Sequence, residues 1–265
     1  MKKWFMIPIA ISILLAIAYP TYAISNRAVH WGFTKGKNEQ QADAGKEYDE
    51  LLKKHHAVYK GNPKDKILYL TFDNGYENGY TEAILDVLKK EKVPATFFVT
   101  GHYLKSQPKL VKRMVKDGHI IGNHSWSHPD MTQISDEKIR EELRKVQQET
   151  ARITKQKEMH YLRPPRGILS ERTMEIANQE GYTHVLWSLA FLDWRINQQK
   201  GWKYSYDNIL AQVHPGSIML LHTVSRDNAE ALEKSIKDLK DRGYRFESLD
   251  YFMMKEKVKS PLLGS

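Results

Sequence analysis

From residue 67 onward the chain repeats one pattern: a short apolar run, a stretch with helical spacing, then another apolar run. The apolar runs fall at 67–72, 95–100, 119–122, 161–163, 183–188, 217–221 and 244–246, and their β-branched and aromatic content reads as strand. Between them, helical periodicity predicts helices over 80–91, 109–117, 136–154, 171–180, 206–213 and 227–242, several closed by Gly118, Gly181 or Gly243. Seven strands alternating with helices argue for a parallel sheet, and that many units close into an α/β barrel.

In such a sheet the carboxyl ends of the strands share one face, where side chains meet ligands. The first strand ends in Asp73-Asn74-Gly75, the third in His124-Ser125-Trp126-Ser127-His128, and the fourth in Arg163-Pro164-Pro165-Arg166-Gly167. The fifth leads to Asp193-Trp194 and the sixth ends in His222. Each has an ordinary explanation alone: a turn, surface histidines, a loop cation, a satisfied core histidine. Their convergence on one rim is what makes a site. His124 and His128, spaced as on one helical turn, can reach a single divalent ion. The set supplies what acyl hydrolysis needs: a metal to polarise a carbonyl, a carboxylate base, an imidazole acid, and charged partners to tune them.

Residues 1–23 stand apart. Lys2 and Lys3 precede an apolar run over 4–19, then Pro20 and a small residue at Ala23, the pattern of a secretory signal; an uncleaved anchor is the alternative and the only membrane contact expected. The protein is therefore expected to be exported, secreted or membrane-anchored. It has no cysteine, so any metal must be held by His, Asp, Glu or Asn. A formal net charge of +9 favours an anionic partner, and outside the membrane that is cell-wall polymer rather than nucleic acid. Residues 24–64 read as a polar accessory segment whose amphipathic helix, over 46–59, puts Tyr48, Leu51, Leu52 and His55 on one face. His55 and His56 are neighbours that point to different sides of a helix, so they are expected to be surface histidines. The catalytic domain is expected to span 65–265 and to act as a monomer.

Five motifs in order, from Thr71-Phe72-Asp73-Asn74 to Leu220-Leu221-His222, resemble those of the polysaccharide deacetylases, carbohydrate esterase family 4, over roughly residues 65–252. The resemblance implies a deformed (β/α) barrel of about seven strands. It implies Asp73 as general base, Arg163 orienting it, His222 protonating the departing sugar amine, and Asp193 as partner of His222. His124, His128 and position 74 would hold a divalent metal such as zinc. Asn74 keeps an oxygen donor there but lacks the usual carboxylate charge, so weaker metal binding is expected, and the same amide could face substrate.

The run Asp73-Asn74-Gly75-Tyr76-Glu77-Asn78-Gly79 is most similar to the spore-cortex N-acetylmuramic acid deacetylases that act towards muramic δ-lactam. Peptidoglycan glycan strands lacking peptide stems are then the expected substrate. Arg166 would grip the lactyl carboxylate, and Trp126, Trp187 and Trp194 would stack on sugars. The alternatives are deacetylation of N-acetylglucosamine polymers or non-catalytic glycan binding on the same fold. A glycoside hydrolase would need two carboxylic acids across the scissile bond, and it leaves the histidine pair unexplained.

Overall fold

The computed structural model describes residues 24–259; the signal expected over 1–23 lies outside the described residues. In chain order come β1 (Val29–His30), α1 (Lys46–Lys54), β2 (Ile67–Asn74), α2 (Thr81–Glu91), β3 (Ala95–Val99), α3 (Gly101–Ser106), α4 (Pro108–Lys116) and β4 (Ile120–Asn123). There follow α5 (Asp136–Ile153), β5 (Tyr161–Leu162), β6 (Ile168–Leu169), α6 (Glu171–Gln179), β7 (Thr183–His184), α7 (Trp202–Gln212), β8 (Ile218–His222), α8 (Arg226–Asp241), β9 (Arg245–Phe246) and α9 (Leu249–Lys259). Among the described residues no helix is long and apolar enough to cross a membrane.

Every residue of β2 is buried, as a central strand covered on both faces must be. It pairs in parallel with β3 on one side and with β8 on the other, β9 running beside its first residues. The sheet continues from β3 through β4 and β5 to β7, all parallel. Past β7 the chain reaches β8 through a parallel bridge between Leu189 and Met219, so the two edges of the curled sheet meet. The expected strand over 183–188 is broken because Val58 enters the wall there. Val58 N donates to His184 O at 2.9 Å, and Leu186 N donates to Val58 O at 2.8 Å. Residues 58–60 thereby fill the gap in a deformed (β/α) barrel.

The helices start where the sequence supplies caps. Ser135 accepts from Lys138 N at the head of α5, Ser225 from Asn228 N at α8, and Ser170 forms a reciprocal box with Thr173 at α6. The helix expected over 206–213 begins earlier, at Trp202, after Gly201 at φ 92°. Inside, Phe72 and Phe97 stack at 5.1 Å between β2 and β3.

The amino-terminal segment packs against one flank. β1 pairs antiparallel with β6, and α1 buries Leu52 in a cluster with Leu169, Met174 and Leu186. His55 corrects the expectation of a surface residue: it is buried, 3.9 Å from Glu171 and 3.8 Å from Glu175. The reason is that α1 stops at Lys54, and the chain turns inward at His55, whose carbonyl accepts from Asn178 Nδ2. His56 is exposed, as expected.

Candidate active site

Strand register assembles the site. Asp73 and His222 are directly paired residues on neighbouring strands, and Asn123 pairs with Leu162, so the segments bearing His124 and Arg163 also emerge side by side. Thr71 and Asp73 lie on the same side of β2, and Arg163 Nη1 donates to both, at 2.8 and 2.9 Å. Arg163 has no exposed surface; its Nε donates to Val185 O at 3.0 Å, and its guanidinium lies 4.2 Å from the Phe98 ring centre. Burial alone would raise the Asp73 carboxyl, but Arg163 beside it, with His124 and His222, holds it below the ordinary carboxylate value.

His222 is organised by a second carboxylate. Asp193 Oδ1 accepts from His222 Nδ1 at 2.8 Å and Asp193 Oδ2 from His222 N at 2.8 Å, while Asn228 Nδ2 donates to the same Oδ2 at 2.6 Å. With Nδ1 committed, Nε2 is the nitrogen left for chemistry. Burial opposes protonation of this imidazole, but Asp193 outweighs it and raises the pKa above the usual histidine value.

His124 and His128 meet with ring centres 4.8 Å apart, edge to face. They do so on a loop and not on the helical turn their spacing suggests: Ser125 and His128 both take left-handed backbone, at φ 62° and 58°. The loop is pinned by Ser125 N to Asn123 Oδ1 and by Ser127 N to Glu142. His124 Nδ1 donates to Arg163 O at 2.9 Å, leaving Nε2 3.6 Å from Asp73 Oδ2. Burial keeps both rings neutral, lowering His124 and bringing His128 down to about 4.

Asp73, His124, His128 and His222 open onto one cavity of about 650 Å³, with Arg163 and Asp193 behind them. Trp126, Trp187, Trp194 and Arg166 line it, as expected. Trp126 is seated over Gly101, where a Cβ would come within 2.2 Å of the indole. Asn74 is not brought into this cavity. Successive strand residues point to opposite faces, so when Asp73 faces Arg163, Asn74 turns away; it is fully buried and its Nδ2 donates to Thr223 Oγ1 at 2.6 Å.

The sequence matches the polysaccharide deacetylase family over residues 60–185. The peptidoglycan-N-acetylmuramic acid deacetylase PdaA of Bacillus subtilis is 52% identical over 98% of this chain and 100% of its own length. The solved structure of that family 4 carbohydrate esterase superposes with a TM-score of 0.87, at 54% identity, covering 88% of this chain and 100% of the other. A family 4 carbohydrate esterase from Bacillus anthracis, 53% identical over 88% of this chain and 99% of its own, superposes with a TM-score of 0.75. The chain belongs to the polysaccharide deacetylase family. It is a hydrolase of N-acetyl amide bonds.

In this deacetylase the donor set for a divalent metal is partial. His124 and His128 fit as two neutral nitrogen donors, but Asn74, expected as the third, is turned away from the cavity, its Nδ2 bonded to Thr223 and its Oδ1 buried without a hydrogen-bond partner. Among the described residues no group of three His, Cys, Asp or Glu side chains is arranged to hold an ion. The lining residues His102 and Val224 escaped the sequence reading, and Tyr76 was read only as part of a motif. His102 follows the end of β3, so the strand-end rule would have found it; Tyr76 stands two residues beyond Asn74, in the run that carries the resemblance, where it was given no role of its own.

Proposed function

We propose that the enzyme removes the acetyl group from N-acetylmuramic acid in exported peptidoglycan, with preference for residues that carry no peptide stem. Arg166 carries this reading: it is exposed on the cavity wall that also holds Asp73 and His222, and among the described residues it has no carboxylate partner. Muramic acid differs from glucosamine by a lactyl ether whose carboxylate is free when the stem is absent, and a guanidinium grips such a group bidentately. A freed 2-amine next to that carboxyl is the pair a six-membered lactam requires, which fits a step towards muramic δ-lactam in spore cortex.

In the reaction, ionised Asp73 takes a proton from water as its oxygen attacks the acetyl carbonyl. His222, protonated at Nε2, gives its proton to the sugar nitrogen as the C–N bond breaks, leaving acetate and a free amine. Arg163 keeps the base ionised and fixes its orientation, and Asp193 does the same for the acid. His124 and His128 are the side chains that would hold a divalent ion, which when bound polarises the acetyl carbonyl. Trp126, Trp187 and Trp194 supply apolar faces for sugar rings.

Acetate release should be measured on peptide-free muramyl strands, on strands with stems, and on N-acetylglucosamine oligomers. Asp73→Asn is expected to lower turnover on all of them by about two to four orders of magnitude. Arg166→Leu is expected to raise KM on the peptide-free muramyl substrate by about tenfold and to change the oligomers little. Equal losses on both substrates would discard the muramic reading.

A further inference from the structure

Residues 24–59 precede the stretch that matches the family, yet part of this segment stands directly behind the cavity wall. Trp31 N donates to Gly167 O at 2.8 Å, which carries the pairing of β1 with β6 onto the turn that presents Arg166. Its indole Nε1 donates to Trp187 O at 3.1 Å. The indole is itself held edge-on by Tyr59 at 4.9 Å and Tyr48 at 5.5 Å, and the Tyr48 hydroxyl donates to His30 O at 2.6 Å. A Cβ on Gly167 would come within 3.0 Å of the Trp187 ring and 3.1 Å of Trp31 Cβ, so the Trp187 indole and the Trp31 Cβ close on the turn without spare room.

The turn needs such support. Arg166 has φ 57°, a left-handed conformation that is unfavourable for a residue with a side chain and persists only where the surroundings impose it. Trp187 lies on the same segment as Val185 and Leu186, whose carbonyls accept from Arg163. Trp31 therefore ties down both the stretch that holds Arg163 and the turn that presents Arg166, while it does not itself line the cavity.

We propose that Trp31 is a positioning residue for substrate selection, and that the amino-terminal segment, by fixing Gly167 and Trp187 from behind, holds Arg166 where it meets the muramyl carboxylate. This rests on the reading of Arg166 given above. Without the indole, Trp187 O loses its donor and the Trp187 ring its backing against Gly167; the turn is then held only through the Trp31 backbone N–H, and the guanidinium leaves its place on the wall. Selection is then lost before catalytic power, because Asp73 and His222 are held by the sheet.

The test is a double-mutant cycle in the full chain. Trp31→Phe, which keeps a ring but removes the Nε1–H donor, and Trp31→Ala are assayed alone and combined with Arg166→Leu, on peptide-free muramyl strands and on N-acetylglucosamine oligomers. Trp31→Ala is expected to raise KM for the muramyl substrate about tenfold with kcat within about twofold, and Trp31→Phe to fall between it and the parent. In the Arg166→Leu background both penalties should vanish, since there is no guanidinium left to misplace. A penalty of the same size in that background, or a fall in kcat on both substrates, would overturn the positioning role while leaving the Arg166 reading intact. If Arg166→Leu alone proves as good as the parent on muramyl strands, the reading fails and the proposal with it. Should Trp31→Ala not fold, as judged by circular dichroism, Trp31→Phe carries the test, and an unchanged muramyl KM overturns the proposal.

Discussion

Arg163 and Asp193 tune Asp73 and His222, the groups proposed above as base and acid, and their effects have opposite signs. Asp73 is held below its ordinary pKa, so its base form survives to lower pH; His222 is raised, so its acid form survives to higher pH. The working range is thereby widened at both ends. Asp193→Asn removes the charge that raises His222 while keeping a similar shape. We expect the alkaline limb of the kcat profile to move to lower pH, with the acid limb in place. A limb that does not move would show that another group titrates there. At this scale the sequence was informative about identity and poor about geometry. Asp73, Arg163, Asp193 and His222 could be picked out because each follows a strand, but the bonds to Thr71, Val185 and Asn228 depend on segments far apart in the chain. The histidine pair converges as expected by a route that 3.6-residue spacing does not describe, because two left-handed residues bend the loop.

Among the elements, β7 carries an unusual cost. His184 is buried with neither ring nitrogen bonded, and burial brings its pKa down to about 3. In the unfolded chain the same ring titrates near 6.5, so the unfolded state takes up a proton that the native state refuses. The stability tied to this ring is complete above that value and drains away as pH falls from about 6.5 towards about 3. His184→Leu removes the group and its unpaired nitrogens together. Its Tm at pH 7 should equal or exceed that of the parent, and the gap should widen in its favour by about pH 5. A gap that stays constant with pH would show that His184 does not titrate on unfolding. Long periodic elements such as α5 and α8 were legible because their apolar spacing and serine caps are local. The two-residue strands β1 and β6 were not, since a bridge of that length is decided by what lies across it, here each other.

For the whole molecule, closure of the barrel depends on residues that the sequence assigns to an accessory segment. Val58 bridges to Val185 and Lys60 to Ser217, filling the gap where the two sheet edges fail to pair fully. Val58→Pro deletes the N–H that His184 O accepts, leaving a buried carbonyl unpaired. We expect a loss of about 2 kcal/mol or more, read from the urea midpoint; a loss well under 1 kcal/mol would mean that the wall closes without this strut. Strand count and parallel order could be anticipated from alternation alone, but not the place where the ring is incomplete, because nothing local marks Val58 as part of a wall.

Asp73 and His222 occupy the same rung of the ladder between β2 and β8. Their separation is therefore set by the repeat of the peptide backbone, in the way that teeth on one rack keep their pitch, and no loop has to hold it. Loops around such a pair can be rewritten without retiming the proton transfers, provided that Arg163 and Asp193 keep their bonds to it. Replacing residues 164–167 with Arg163 kept, together with the amino-terminal residues that back the turn, should then retarget this deacetylase to another sugar while the chemistry itself is carried over intact.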